Sequence, residues 1–509
     1  MDRSVRSSLA RVMAVGVLLL STASRSPAQD LPLAQVLPDL ILRDIVLLPG
    51  LLGPVHTAHF SPLTNDPNNP VIGIVQSFNT QMAKQFSTFP LGSSTGGLTY
   101  VFDETVGTFR RGSPSFGPMF AERALTIGRR KLSVGFNYQH TSYNTFEGQN
   151  LDDGSIKFYL RHQDCCTFNL LPDPPYSEFS TTPNGTRLTV PFEGDIIQAS
   201  LFLNATTDTT AVFANYGLTD RWDLGLAVPF VRVQLDARVV ARIDRLVTCS
   251  GLLIVPDPPP FTCAPDTHTF EYGNPNATQT VEHDGHASGI GDVILRTKYR
   301  FVNTTGGGLA AAVDVRLPTG NEDQLLGAGG TQAKFLLVAS SQRGRVGQHL
   351  NLGYTVAQGT VAGTLAGQAS ASLPDEINYS GGAEIVMTPR LTLMGDIVGR
   401  TLRGAGRLDL VGKNFEYSDI SKIPLQPGQT TPYTPQQLVE MGILTFPTST
   451  ATLDEFNPRP GNLTLLLGTG GVKFNPFGNL LVSASVLFPL TDAGLRSRVT
   501  TIIGLDYAF

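Results

Sequence analysis

The sequence lacks most of the features that mark enzymes, cofactor-binding proteins and helical membrane proteins. It contains no Gly-x-Ser-x-Gly nucleophile elbow, no phosphate-binding loop and no His-Glu-x-x-His helix. No apolar run reaches the length of about 20 residues that a transmembrane helix needs. The formal charge of −5 also argues against a nucleic-acid partner, because such proteins present a basic face. We therefore expect no catalytic activity, no cofactor and no bound nucleic acid.

Cysteine is rare, with four residues in a chain of 509. Three pairings are open, and we favour a disulfide between Cys249 and Cys263 because it would close a proline-rich loop. Cys165 and Cys166 are adjacent in the chain, and the sequence does not decide their partners. The cysteines lack the two-residue spacing and the accompanying histidines of a metal site, so we expect no metal.

The N-terminus has the pattern of a secretory signal peptide. Arg3, Arg6 and Arg11 precede an apolar run over residues 12–20, and small residues follow at the end of the segment. We predict a cleavable signal peptide over residues 1–28. Its removal would take away four arginines and one aspartate and change the formal charge from −5 to −8. The exported chain would be acidic.

Glycine and proline are abundant, with 52 and 35 residues, while the mean hydropathy is only +0.02. This composition predicts many short strands and turns. Alternation of apolar with polar or small residues is clear over residues 131–146 and again over residues 497–509. The second segment ends on Phe509, and a final strand with a terminal aromatic residue is typical of bacterial outer-membrane barrels. Weaker strand patterns cover residues 98–106 and 119–127.

Long and short connections between the predicted strands alternate along the chain. The long loops are predicted at residues 147–194, 246–288 and 403–461, and short turns lie between them. Outer-membrane barrels keep short turns in the periplasm and long loops outside. We therefore predict an all-β fold, a transmembrane antiparallel β-barrel of about 14 strands, within a range of about 12 to 16. Outer-membrane lipid would surround it.

The predicted barrel covers residues 98–509, and residues 29–97 have no sustained alternation. Three roles are open for this N-terminal segment: a flexible leader, an arm that binds a periplasmic partner, or a plug inside the lumen. Its aromatic and aliphatic content argues against complete disorder.

A long strand predicted over residues 221–245 changes phase at Pro229. Apolar residues occupy alternate positions from Trp222 to Phe230, and the other set of positions from Val231 onwards. A β-bulge would restore the pleat, and proline suits such an irregularity because it lacks an amide donor. We predict a bulge at Pro229 and expect the portion beyond it to project past the membrane.

Charged residues recur on the face of the strands opposite to the apolar one, and would point into the lumen. They are Asp292, Arg296, Lys298, Arg300, Asp314, Arg316, Asp396 and Arg400. Two interpretations are open. Opposite charges could pair across neighbouring strands and stiffen the wall, or the charges could line a polar conduction path and set its selectivity.

Four segments go beyond strand patterning: residues 115–123, 217–225, 289–292 and 316–327. Together they resemble the outer-membrane channel-like proteins of the meta-pathway phenol degradation family, which are akin to hydrophobic-compound transporters of the fatty-acid and toluene type. The resemblance runs from about residue 98 to the end of the chain. It implies passage of aromatic compounds and makes residues 29–97 a candidate plug, but it carries over no ligand residues.

These observations predict an outer-membrane channel or transporter for passive uptake of small, aromatic or hydrophobic compounds. A general-diffusion polar porin is one alternative. A structural or adhesive barrel, whose outer loops bind a ligand while the lumen conducts nothing, is another. The sequence names neither the cargo nor the oligomeric state.

Overall fold

The computed structural model describes residues 31–48, 60, 70–87, 97–103, 108–161, 195–246, 268–274, 276–304, 307–363, 370–419, 422–430, 441 and 447–509. The chain divides into two compact units, Met1–Pro32 and Leu33–Phe509, and the barrel belongs to the second. The predicted signal peptide, Cys249, Cys263 and the other two cysteines lie outside the described residues. Within those ranges, no helix has the length and apolar character needed to cross a membrane.

The described residues form two helices and 21 strands. The helices are α1 (Leu33–Leu42) and α2 (Pro70–Ser87). The strands are β1 (Tyr100–Asp103), β2 (Thr108–Arg111), β3 (Leu132–Tyr143), β4 (Thr145–Phe146), β5 (Gln149–Asn150), β6 (Ile156–Arg161), β7 (Asp195–Gly217), β8 (Trp222–Arg245), β9 (Thr278–Ile290), β10 (Val293–Thr304), β11 (Gly307–Leu317), β12 (Gly330–Arg343), β13 (Val346–Gly359), β14 (Glu376–Thr388), β15 (Leu391–Leu402), β16 (Arg407–Ser418), β17 (Thr448–Arg459), β18 (Leu463–Phe474), β19 (Leu480–Pro489), β20 (Leu495–Arg496) and β21 (Thr500–Ala508).

Fourteen of the strands form one antiparallel sheet, and twelve of them close a barrel. The order around the wall is β7, β3, β21, β19, β18, β15, β14, β13, β12, β11, β10 and β8, and β8 pairs again with β7. The two extra strands, β6 and β9, extend the sheet along β7 and β8. Closure removes the free strand edges of the ring. The predicted all-β barrel of about 14 strands is confirmed.

The two ends of the barrel differ. Short connections join β7 to β8, β12 to β13, β14 to β15 and β18 to β19 at one end, called here the short-turn end. Longer connections lie at the opposite, long-loop end, and one of them contains the separate hairpin β16–β17. This alternation of short and long connections agrees with the pattern predicted from the sequence.

Side-chain direction along β8 shows where the surroundings of the wall change. Asp223 near the short-turn end and Val233 beyond Pro229 are both buried, so odd-numbered positions point inward throughout. On the outward face, Trp222 is exposed below Pro229 and Arg232 above it. The apolar residues change face because the surroundings change, from a polar lumen and an apolar exterior to an apolar interior and a polar exterior.

The predicted bulge at Pro229 is therefore wrong. Strand β8 pairs with β7 without a register shift, from Asp195↔Arg245 to Gly217↔Asp223. The irregularity lies on the other side of β8, between the end of β9 and the start of β10, where Gly291 N donates to Pro229 O over 2.8 Å. Proline is tolerated at position 229 because its missing N–H would point towards the junction of β9 and β10. The hydrogen-bond ladder of β8 is already interrupted at that junction.

The two helices lie at the long-loop end, where a small apolar core surrounds α2. The Phe78 ring lies 4.4 Å from the ring of Phe146 and 5.8 Å from that of Phe158, and Phe146 lies 6.0 Å from Phe456. These partners belong to β4, β6 and β17. Asn79 Nδ2 donates to Ala34 O in α1 over 2.8 Å, which joins the two helices.

Residues 112–127, called here the luminal segment, cross the inside of the barrel as irregular chain. The strand predicted over residues 119–127 is wrong, because side chains of the wall and not a neighbouring strand receive its amides. Glu122 N donates to Asn351 Oδ1 of β13 (2.6 Å), and Ile127 N donates to Asp223 Oδ2 of β8 (3.0 Å). On the other side, Lys473 of β18 donates to a carbonyl of the segment. Polar side chains on the inner wall thus satisfy buried backbone groups that would otherwise need a strand partner.

Candidate functional site: a charged cavity in the lumen

A cavity of about 180 Å³ lies inside the barrel between α2 and the luminal segment. Gln85 of α2 lines it from the long-loop side, and Phe120 and Glu122 of the luminal segment line it from the other side. The wall strands β8, β10 to β15 and β18 supply most of the remaining lining. An engineered cavity of about 150 Å³ in another protein holds benzene. The space therefore suits one single-ring molecule.

The lining carries more positive than negative charge. Its cationic side chains are Arg296, Arg316, Lys334, Arg400 and Arg496, and its carboxylates are Glu122, Asp314 and Glu376. Arg296 bonds two of the three carboxylates, through Nη1 to Glu122 and through Nε and Nη2 to Asp314. Lys334 Nζ also lies 3.5 Å from Asp314 Oδ2, and Arg400 Nη1 lies 3.5 Å from Glu376 Oε1. Cations outnumber carboxylates five to three around this space.

Arg496 enters the cavity from β20, a two-residue strand at the long-loop end. Its side chain is 5% exposed and donates from Nη2 to Thr491 Oγ1 over 2.6 Å. Among the described residues, its buried Nε has no hydrogen-bond partner. Burial, and secondly the positive charge of Arg400, lowers the pKa of Arg496 to about 10. The site therefore holds a buried guanidinium close to a like charge.

The same cavity has an apolar part. Phe120 belongs to the luminal segment, Leu336 to β12, Leu465 and Leu467 to β18, and Leu495 precedes Arg496 in β20. A space with an apolar part and converging cations can hold a molecule that is itself amphiphilic.

The structure divides the eight charges predicted from the sequence into two groups. Arg296, Asp314, Arg316 and Arg400 line the cavity. Each of the remaining four holds another element in place. Asp292 accepts from Gly320 N and Ala328 N, Lys298 donates to Arg123 O and Leu125 O, Arg300 donates to Thr304 O and Gly307 O, and Asp396 contacts His349 Nε2. The role of these eight residues in conduction stays a prediction.

Contacts across neighbouring strands join several of these charges. Arg296 and Asp314 are register partners on β10 and β11, and Asp314 and Lys334 are partners on β11 and β12. The sequence analysis missed Lys334, although it follows the same alternation as its neighbours. Arg496 lies outside the predicted strands, so no pattern pointed to it. Glu122 lies in the weak strand pattern over residues 119–127, which did not indicate where its side chain points.

A chain of buried polar contacts fixes the luminal segment at the short-turn side of the cavity. Ser115 Oγ donates to Glu384 Oε1 over 3.0 Å, and Glu384 Oε2 lies 3.0 Å from His349 Nδ1. Arg123 Nη1 contacts Ser115 O at 3.2 Å, and Lys473 Nζ donates to Pro118 O over 2.7 Å. Passage from the cavity to the short-turn end would have to disturb these contacts.

The family model described as "Putative MetA-pathway of phenol degradation" matches residues 180–371. The match confirms, over these residues, the resemblance carried by residues 217–225, 289–292 and 316–327. No curated protein matches the chain.

Solved structures of outer-membrane proteins are similar to the chain at low sequence identity. An outer membrane channel from Pseudomonas putida F1 is 11% identical, covering 76% of this chain and 98% of its own, with a TM-score of 0.39. A FadL homologue from Pseudomonas aeruginosa is 10% identical, with coverages of 75% and 90% and a TM-score of 0.28. The toluene transporter TodX from P. putida is also 10% identical, with coverages of 75% and 90% and a TM-score of 0.27. These similarities are too weak to support a function for this chain.

Proposed function

We propose that the chain is a non-catalytic outer-membrane channel through which small molecules with an apolar ring pass passively. One observation carries the proposal: a closed barrel wall, apolar outside, surrounds a cavity of single-ring size. Outward side chains such as Leu337 (62% exposed) and Leu352 (54% exposed) would be unfavourable in water but suit lipid. A closed barrel also pairs its backbone groups internally, as a membrane requires.

The barrel fits the usual orientation of this class, with the short-turn end in the periplasm and the long-loop end outside. Cargo would enter beneath the long loops and pass α2, which lies above the cavity. It would then leave either by displacement of the luminal segment or through the wall. In this view α2 acts as a plug, which is one of the three roles open for residues 29–97, and the luminal segment is a second barrier.

The family match supports the same reading, since its label names phenol degradation. The matched residues contain six of the twelve wall strands, β7, β8 and β10 to β13. A polar porin is favoured only by the charges of the lining. Against it, α2 and the luminal segment occupy the lumen on both sides of the cavity. An adhesive barrel would use the long loops but would leave the cavity without a role.

Initial uptake rates in a porin-deficient Gram-negative host test the proposal. Labelled phenol and labelled arabinose are supplied separately to cells with and without the mature protein. We expect the protein to raise phenol uptake several-fold and to leave arabinose uptake unchanged. Uptake of both solutes would indicate a polar porin, and uptake of neither would indicate a structural or adhesive barrel.

A cross-linked variant is the matched control for passage through the lumen. Ala124 N donates to Ser340 Oγ over 3.0 Å, so Ala124→Cys combined with Ser340→Cys places two thiols close together across the luminal segment and β12. Oxidation should reduce phenol uptake to the level of cells without the protein, and reduction should restore it. Unchanged uptake with the cross-link verified by mass spectrometry would indicate exit through the wall.

A further inference from the structure

The charge of the cavity identifies its ligand more narrowly than its size does. Arg296 is already bonded to both Glu122 and Asp314. Arg316, Arg400 and Arg496 also line the space, where the remaining lining carboxylate is Glu376. Arg400 lies 3.5 Å from that carboxylate. Among the lining residues, cations therefore outnumber carboxylates by two.

The buried side chain of Arg496 provides a second, independent observation. Its side chain is 95% buried, aimed into the cavity, and holds an Nε that has no hydrogen-bond partner among the described residues. This buried N–H is unsatisfied, which is unfavourable. Glu147 and Asp492 also act on the guanidinium electrostatically, but neither carboxylate lines the cavity. A carboxylate suits such a guanidinium, because two parallel N–H groups match its two oxygens.

We propose that the cavity binds organic anions made of one apolar ring and one carboxylate, and prefers them to neutral ring compounds. The carboxylate contacts Arg496 and the neighbouring Arg400, and the ring packs on Phe120 and Leu467. The volume of about 180 Å³ leaves room for one ring and a small substituent. The inference rests on the proposed function, because it names the class of cargo for the same cavity.

Calorimetric titration of the full mature protein in detergent micelles tests the preference directly. Three probes are compared: benzoate, the neutral benzamide of nearly the same shape, and acetate, which has the charge without the ring. We expect benzoate to bind about tenfold more tightly than either of the others, as hydrogen bonds to a charged group allow. Equal affinity for benzamide would overturn the role of charge, and equal affinity for acetate would overturn the role of the ring.

Variants assign the effect to the cavity. Arg496→Met should weaken benzoate binding about tenfold and leave benzamide binding unchanged, since only the anion uses the guanidinium. Arg498→Met is the matched control, because Arg498 lies two residues away in the same connection but is exposed and does not line the cavity. Equal loss of benzoate binding in both variants would contradict the proposal. Arg400→Gln provides the same test if Arg496→Met does not reach the folded, heat-modifiable form, and the three-probe comparison decides if neither variant folds.

Failure of this inference can be distinguished from failure of the proposed function. If cells take up phenol but benzoate and benzamide bind equally well, the proposed channel is supported and the anion preference is contradicted. A tenfold preference for benzoate without uptake of phenol would support the binding site and contradict the proposed channel.

Discussion

Arg296 shows that a single side chain in this lumen can bind several partners. It bonds Glu122 of the luminal segment and Asp314 of β11, and its own side chain is largely buried. Both carboxylates are almost fully buried, and each has a lysine as a second, more distant cation, Lys298 for Glu122 and Lys334 for Asp314. A buried ion network of this kind is costly to break from one side, because the remaining charges keep their desolvation penalty.

Arg296→Met should therefore lower the free energy of unfolding by about 3–5 kcal/mol. The measurement is urea unfolding of the barrel in detergent, followed by the gel shift between folded and unfolded forms. Arg345→Met is the control, since Arg345 is exposed in the short connection between β12 and β13. A loss below about 1 kcal/mol, the size expected for an exposed ion pair, would mean that water screens the network.

At the scale of the element, β7 and β8 show how one strand passes between two environments. Even-numbered residues of β7 point outward along its length: Val212 is exposed near the short-turn end, and Asn204 is exposed further along. The first belongs to the apolar band and the second to the part of the hairpin beyond it. The same pleat therefore carries opposite patterns on either side of the membrane boundary.

Substitutions on one face of β7 locate that boundary. Val212→Arg should destabilise the barrel by about 2–4 kcal/mol, because an arginine there would face hydrocarbon. Asn204→Arg should cost about 0–1 kcal/mol, since it faces water or the interface. Unfolding from lipid vesicles provides both values. Equal cost at the two positions would contradict the placement of the apolar band.

The elements that the sequence analysis predicted well are those with a local period. The strand expected over residues 221–245 is present as Trp222–Arg245. The phase change at Pro229 was visible too, but its cause was not, because alternation does not say which face meets lipid. Residues 119–127 of the luminal segment resemble a strand in sequence because buried extended chain has a similar composition. Its partners include wall side chains more than 200 residues away in sequence, such as Asn351 and Ser340.

The whole molecule places two barriers in series around one cavity. On the long-loop side α2 is held by Phe78, which is buried among aromatic rings and 0% exposed. On the short-turn side the luminal segment is held in part by Lys473, which donates to Pro118 O. An ion crossing the barrel has to pass both, so opening one barrier leaves the other to limit the current.

Single-channel recording in planar bilayers tests this arrangement with Phe78→Ala, Lys473→Met and their combination. Phe78→Ala should loosen α2, since removing a buried aromatic side chain costs about 3–5 kcal/mol, and Lys473→Met should loosen the luminal segment. We expect wild type and both single variants to show no steady current and the double variant to conduct. Steady current from Phe78→Ala alone would mean that the cavity already communicates with the short-turn end, and the luminal segment would then act on cargo selection and not on closure.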